Sequence, residues 1–199
     1  MIKTTIIIIV PYLLGGVPFG FLIGKLFGRS DIRQEGSGNI GAANVLRTTG
    51  KAAGVCTLLL DVMKGVLSVL LASSLTGRDP SLCGIAALSA IVGHIFPIYL
   101  RFKGGKGFAV TIGSFLVLTP AAMVCSLFVF FAAAVPTRII SVGSIAASLA
   151  LPVFTLIFRE SRIFFFFAVA AALLIIMRHA SNIGNLIRGV EPRIGERSR

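Results

Sequence analysis

The amino-acid sequence predicts an all-α fold that crosses a membrane several times, and three observations carry that reading. Mean hydropathy is +0.97 over 199 residues, and only 13% of residues are charged, against roughly 25% in ordinary soluble domains. Apolar runs of spanning or near-spanning length recur from end to end. The charges gather largely between those runs, with Asp61 and Lys64 the clear exceptions.

The first run covers residues 4–24. Only Lys3 precedes it, and no short apolar stretch ends in a small-residue cleavage site, so it reads as a retained first span and not a removed signal. Further runs follow at 52–75, 82–100, 108–118, 121–135, 139–158 and 163–180. The fourth and fifth are short, and Thr119-Pro120 between them is either a tight turn or a kink in one longer helix. Seven spans are expected, with six as the alternative.

Charge placement favours seven, because Lys and Arg accumulate in cytoplasmic loops. With the N-terminus outside, fourteen basic residues fall inside: Lys25, Arg29, Arg33, Arg47, Lys51, Arg101, Lys103, Lys106, Arg138, Arg178, Arg188, Arg193, Arg197 and Arg199. Lys3, Arg78, Arg159 and Arg162 fall outside, and Lys64 lies within a span. The C-terminus is then cytoplasmic. No period of 20 to 50 residues and no inverted repeat is evident, so residues 1–199 are expected to form a single helical domain.

The net charge of +12, from 19 Lys and Arg against 7 Asp and Glu, points to cytoplasmic loops or an anionic ligand. It does not point to nucleic acid, since the cations form no single soluble basic face. Cys56, Cys83 and Cys125 are widely spaced without a CxxC pair, which argues against a disulfide framework or metal site and for small packing residues.

Three polar islands interrupt the apolar pattern, all on the expected inner side. The first is GSGNIGAANVLR, residues 36–47. Its glycines free backbone amides, Ser37, Asn39 and Asn44 are short and polar, and Arg47 is a forked cation. A loop of this kind entering a helix suits an anion, although turn glycines and an ordinary helix cap account for the same letters.

The second island is FKGGKGF, residues 102–108, with His94 and Arg101 ahead of it. Lys106 between Gly105 and Gly107 would bring an ammonium and several amides to one phosphate. A nucleotide-hydrolysing P-loop requires Ser or Thr after the lysine, and Gly107 stands there instead. Lys103 and Arg101 read more simply as markers of the inner side.

The third island is RHASNIGNLIRGVE, residues 178–191. On a helix, His179 and Asn182 share a face. Inside the second run, Asp61 and Lys64 stand three apart and within reach of each other. Ionisable groups at that depth are costly unless paired or facing water. Pairing is the expectation for Asp61, while Lys64 has the second option of lining a polar cavity.

GSGNIGAANVLR, then GHIFPIYLRFKGGKGFAV, then RHASNIGNLIRGVEPR, in this order and on this scaffold, closely resemble the bacterial membrane glycerol-3-phosphate acyltransferases that use acyl phosphate, the PlsY family. The resemblance covers most of the chain, including LDVMKG. It implies transfer of a fatty acyl group from acyl phosphate to the 1-hydroxyl of glycerol 3-phosphate, giving lysophosphatidate and inorganic phosphate. That reaction is the first committed step of phospholipid synthesis. The matching positions are Ser37, Asn39, Asn44, Arg47, His94, Gly104, Gly105, Lys106, Gly107, His179, Asn182 and Glu191. Ala43, Phe108, Val110 and Asn185 depart from the family's usual Thr, Val, Thr and Arg, and no function is carried onto them.

Two phosphorylated substrates must sit close together, and like charges a few ångströms apart repel by about 4 kcal/mol at an intermediate dielectric. Arg47, Lys106, His179 and Asn182 are therefore expected to hold glycerol 3-phosphate. The GGKG amides, with Asn39 or Ser37, are expected to hold the acyl phosphate head. His179, His94 or a substrate phosphate would serve as base, and no metal or other cofactor is required. An acyl-enzyme at Ser37 is disfavoured because no base has a visible spacing to it. The His-x4-Asp pair of other glycerolipid acyltransferases is absent, since Tyr99 follows His94 and Gly184 follows His179 at that spacing. The competing class is a phosphate or organic-anion transporter, suggested by Lys64 and the basic loops, and a non-catalytic membrane scaffold is a third. Membrane lipid is the expected environment, with the acyl chain entering sideways between spans. Chain-length preference and oligomeric state leave no signature.

Overall fold

The computed structural model describes residues 2–28, 31–158 and 160–195. Arg29, Arg159, Arg197 and Arg199, which entered the charge count, lie outside the described residues. Ten α-helices follow in order: α1 (Ile2–Gly16), α2 (Phe19–Leu26), α3 (Ala42–Thr48), α4 (Lys51–Thr76), α5 (Pro80–Ile95), α6 (Phe108–Leu118), α7 (Pro120–Thr137), α8 (Ile140–Ile157), α9 (Arg162–Arg178) and α10 (Ala180–Ile187). Two short 3-10 turns, Ile32–Gln34 and Ile98–Leu100, complete the secondary structure, and the described residues contain no strand.

Local chemistry sets the boundaries. Pro18 lacks an N–H and interrupts the first apolar run, leaving Val17 and Pro18 as a break between α1 and α2. Gly77, with φ 64°, ends α4 in the left-handed conformation. Asp79 then caps α5, its Oδ1 accepting from the Leu82 amide at 2.9 Å, with Pro80 in the first turn. Thr119-Pro120 separates two helices, and Pro120 opens α7.

Every apolar run expected to span is helical. Five stretches are long and apolar enough to cross a bilayer: Ile2–Leu26, Lys51–Thr76, Pro80–Leu100, Pro120–Thr137 and Ile140–Ile157. α9 makes a sixth if it is counted together with α10, which turns away from it by 57° beyond Arg178. Of the two remaining helices, α3 has 7 residues and α6 has 11; α6 rises about 16 Å, roughly half a hydrocarbon core.

The bundle sorts side chains as lipid demands. Leu58, Leu59, Phe128, Phe131, Leu149 and Phe166 are exposed on its outside. The interior is built from small residues around α5, where Ala86, Ala87, Ala90 and Ile91 meet Ile7 of α1, Phe115 of α6 and Ala168 and Ala171 of α9. Lipid is as apolar as leucine, so close packing rather than water expulsion holds such helices together. Buried hydroxyls of Thr57, Ser68, Ser126 and Ser148 each donate to a carbonyl four residues back, which leaves no bare polar group in the core at those positions. Cys83 packs in this core, as expected of a small residue, whereas Cys56 is exposed and Cys125 half-buried; all three are free thiols. A smaller cluster of Ile32, Ile40, Val45 and Ala53 supports the first polar loop against α3 and α4.

Candidate active site

The first polar loop is held by its own side chains. Asp31 opens the turn at Ile32–Gln34, its Oδ1 accepting from the Arg33 amide at 3.0 Å. The Arg33 guanidinium grips the same carboxylate, with Nε 2.9 Å from Oδ1 and Nη2 2.6 Å from Oδ2. That grip holds the Asp31 carboxyl at about 2, below the usual carboxylate range. Asn44, on α3, reaches back into the loop: its Oδ1 accepts from the Ser37 amide at 2.9 Å, and its Nδ2 donates to the carbonyls of Ile32 and Glu35 at 3.1 Å each. Its amide is buried and spent on the chain, so Asn44 ties the loop together and does not present itself to a substrate, contrary to the sequence expectation. Asn39 accepts from the Gly41 amide at 2.8 Å, which turns the chain into α3. Arg47 follows, half-buried, in the last turn of α3.

The second loop departs from the expected amide cradle. Arg101 and Phe102 turn left-handed, with φ 50° and 63°, and bring the glycines back against the end of α5. The amides of Gly104 and Gly105 donate to the carbonyls of Ile95 and His94 at 3.2 and 3.0 Å. Their own carbonyls accept from Arg178 Nη2 and Nε, both at 3.3 Å. Neither amide is available to a phosphate. The amides of Lys106 and Gly107 have no acceptor among the described residues, and they stand at the N-terminus of α6, where a helix favours negative charge.

His94 is also misplaced by the sequence reading. It is 4% exposed, beneath the loop, and its Nδ1 lies 2.9 Å from Lys64 Nζ. An ammonium has no lone pair to offer, so Nδ1 accepts and is committed inside the bundle, which removes His94 from the candidate bases and substrate ligands. Asp61 and Lys64 do pair, at 2.8 Å.

The third loop closes over Lys106. Lys106 Nζ donates to Asn182 Oδ1 at 2.6 Å, and Asn182 Nδ2 donates to Glu191 Oε1 at 2.5 Å. Ser141 of α8 donates to the same carboxylate oxygen at 2.7 Å. Glu191 Oε2 is buried with no partner among the described residues. Beyond it the chain is clamped to the start of α8: the Ile194 amide donates to the Arg138 carbonyl at 2.7 Å, and Arg138 Nη2 donates to the Ile194 carbonyl at 2.8 Å.

Two protonation states follow from these surroundings. Burial pulls Lys106 down to about 8; Glu191 opposes that shift, while the charges of Arg47 and Arg178 add to it. His179 sits at the α9–α10 bend with Nδ1 2.8 Å from the Ile175 carbonyl. A carbonyl only accepts, so Nδ1 carries the proton and Nε2 is left with a free lone pair. Burial, and next the charge of Lys106, lowers His179 to about 4. It is therefore neutral near pH 7 and adds no positive charge to the site.

The structure thus gathers Arg47, Lys106, His179, Asn182 and Glu191 into one neighbourhood. Ser37 and Asn39 line an open cavity of about 540 Å³ with Gly104, Arg33, Lys103 and Arg178. Arg178 joins the two, since it lines the cavity and its charge acts on both Lys106 and His179.

The model of the family described as glycerol-3-phosphate acyltransferase matches residues 5–189. The chain belongs to that family. Among its relatives, the glycerol-3-phosphate acyltransferase of Desulforamulus reducens is 42% identical over 196 residues, covering 98% of each chain. That of Desulfotalea psychrophila is 45% identical over 187 residues, covering 92% of this chain and 94% of its own. The crystal structure of PlsY, an integral membrane glycerol 3-phosphate acyltransferase, in its glycerol 3-phosphate form superposes with a TM-score of 0.91 at 36% identity over 96% of each chain. Its lysophosphatidic acid form gives 0.89 at 35% identity, over 96% of this chain and 95% of that one.

Membership decides for an integral membrane acyltransferase over an anion transporter. Sequence reasoning on the acyltransferase missed Ser141 and underrated Arg178. Ser141 is separated from Glu191 by most of α8 and all of α9 and α10, and its one signal was a hydroxyl in the first turn of an apolar helix. Arg178 looked like a positive-inside marker, although its place directly before His179 was a usable hint.

Proposed function

We propose that the acyltransferase moves a fatty acyl group from acyl phosphate to the 1-hydroxyl of sn-glycerol 3-phosphate, releasing lysophosphatidate and inorganic phosphate. The observation that carries this reading is a neutral His179, with Nε2 unprotonated, in the neighbourhood of the Lys106 ammonium. Lys106, Arg47 and Asn182 hold the glycerol phosphate. The acyl phosphate head occupies the cavity lined by Ser37, Asn39, Arg33 and Arg178, with the unpartnered amides at the start of α6 nearby.

In this reading the 1-hydroxyl oxygen attacks the acyl carbonyl carbon, and the bond from that carbon to the phosphate oxygen breaks. The hydroxyl proton goes to His179 Nε2 or to a substrate phosphate, and phosphate leaves with the bonding pair. Acyl phosphate is a mixed anhydride with a good leaving group, so positioning and charge neutralisation supply most of the acceleration. Transfer is direct, without an acyl-Ser37 intermediate.

The whole chain acts as one domain in the bacterial inner membrane, crossing seven times with α6 as a short span, the N-terminus outside and the site facing the cytoplasm. The charge distribution of the loops supports that orientation. Detergent-purified protein should release phosphate from acyl phosphate only when glycerol 3-phosphate is present, with lysophosphatidate formed in equal amount. Transfer from an acyl thioester with none from acyl phosphate would refute the donor assignment.

A further inference from the structure

Lys64 is among the largest fully buried side chains of the described residues, and the reaction just described makes no use of it. Its Nζ donates to the Val17 carbonyl at 3.0 Å and to His94 Nδ1 at 2.9 Å. Asp61 Oδ1 lies 2.8 Å away as an ion-pair contact off the hydrogen-bond axis, and the Phe19 ring covers the ammonium at 5.6 Å. Each of the two hydrogen-bonded partners leads to a different polar loop.

Val17 is the break between α1 and α2, and α2 rests directly on the first loop. Gly20 of α2 packs so closely that an added Cβ would strike the Ile40 carbonyl, and Gly24 packs on Ile32 in the same way. His94 leads to the second loop. Because Nδ1 accepts from Lys64, the ring proton resides on Nε2, and Nε2 is the atom that a Cβ on Gly105 would strike. The GGKG turn therefore sits on the edge of the imidazole, while its amides hang from the His94 and Ile95 carbonyls.

We propose that Lys64 is a positioning residue that sets the gap between the two glycine-bearing loops, holding one through the α1–α2 break and the other through His94. A buried ion pair is a poor source of stability, because an apolar replacement of like volume avoids the desolvation cost. What an ammonium provides that a methionine does not is directed bonds to two elements at once. The cavity lies between these loops, with Ser37, Gly38 and Asn39 on one wall and Phe102, Lys103 and Gly104 on the other. A fixed gap fixes the distance between two bound anions.

This inference rests on the two-anion reading of the site. Its test is the double variant Asp61→Asn with Lys64→Met, which removes both buried charges, compared in detergent with the parent protein. Folding should persist. The groups that touch each anion are retained while the geometry between the two loops loosens, so kcat should fall about tenfold or more, with KM for each substrate changing by less than kcat. Hydrogen exchange should quicken about tenfold or more at residues 36–41 and 102–107. Unchanged kcat and exchange would overturn the proposal, as would a rise in one KM with kcat intact. If the double variant does not fold, His94→Leu and His94→Gln decide. Leucine cannot accept from Lys64 and should reproduce the kcat loss, whereas glutamine can accept and should recover most of it; equal activity in the two refutes the coupling. A parent without transfer from acyl phosphate would refute the donor reading alone, and the exchange result would still judge Lys64.

Discussion

Lys106 and Asn182 meet at 2.6 Å, and that one contact joins the second polar loop to the third across 76 residues of chain. Asn182 spends its other end on Glu191, so the amide is a spacer between an ammonium and a carboxylate. Removing it with Asn182→Ala strips Lys106 Nζ of this acceptor and leaves Ser141 as the hydrogen-bond donor to Glu191 among the described residues. A hydrogen bond to a charged group is worth about 1.5–3 kcal/mol. Purified Asn182→Ala should therefore lose about 10- to 100-fold in kcat/KM for glycerol 3-phosphate.

Lys106 titrates at about 8, so its charge is lost as pH rises through that value. kcat/KM for glycerol 3-phosphate should show an alkaline limb near pH 8. Lys106→Arg keeps its charge throughout and should abolish that limb, even where the altered shape lowers the plateau. A limb that persisted in the arginine variant would assign the titration elsewhere.

His179 titrates at about 4 against an ordinary 6.5. Its Nε2 should stay available down to about pH 4, so His179 should contribute no acid limb to kcat/KM near pH 6.5. The same shift has a stability consequence. Between pH 6.5 and 4 the unfolded chain binds a proton at this residue that the folded chain refuses, so stability falls as pH drops through that window. His179→Gln should lose that part of the pH dependence in thermal unfolding between pH 7 and 4.

Ser141 touches no expected substrate position, yet its hydroxyl supports Glu191 at 2.7 Å. Ser141→Ala should reduce kcat/KM by about 3- to 10-fold, matching a lost hydrogen bond of about 1 kcal/mol. An enlarged effect of Asn182→Ala in the Ser141→Ala background would show that the two act on one carboxylate.

Gly105→Ala should be among the most damaging single-methyl additions, since the new Cβ strikes the His94 ring. Overpacking of this kind costs about 1–3 kcal/mol, visible as a lowered Tm. Combining it with His94→Ala should recover part of the loss.

The bundle was legible because lipid imposes a simple rule on composition, and every apolar run became helical, the first broken at Val17-Pro18 and the third beyond Ile95. The polar islands were legible as loops for the complementary reason. What a linear motif could not convey was the direction in which each polar group spends its bonds. Asn44 and Asn39 look alike in GSGNIGAAN, yet Asn44 is consumed in tying the loop while Asn39 lines the cavity. Gly104 and Gly105 look like free amides and are bonded to α5. His94 and His179 look like a pair flanking one loop, and the fold puts the first below it and the second in the neighbourhood of Lys106. Such differences depend on residues distant in sequence, Lys64 for His94 and Lys106 for His179.

Glu191 gives the site a place in time. All ten helices precede it, the family-wide match ends at residue 189, and the clamp between Arg138 and Ile194 lies just beyond. During synthesis Lys106 and Asn182 are therefore made before the carboxylate that braces them. Asn182 and Lys106 gain their brace only once the chain has run past its ten described helices, so the order of translation separates the helices from the carboxylate that acts on them.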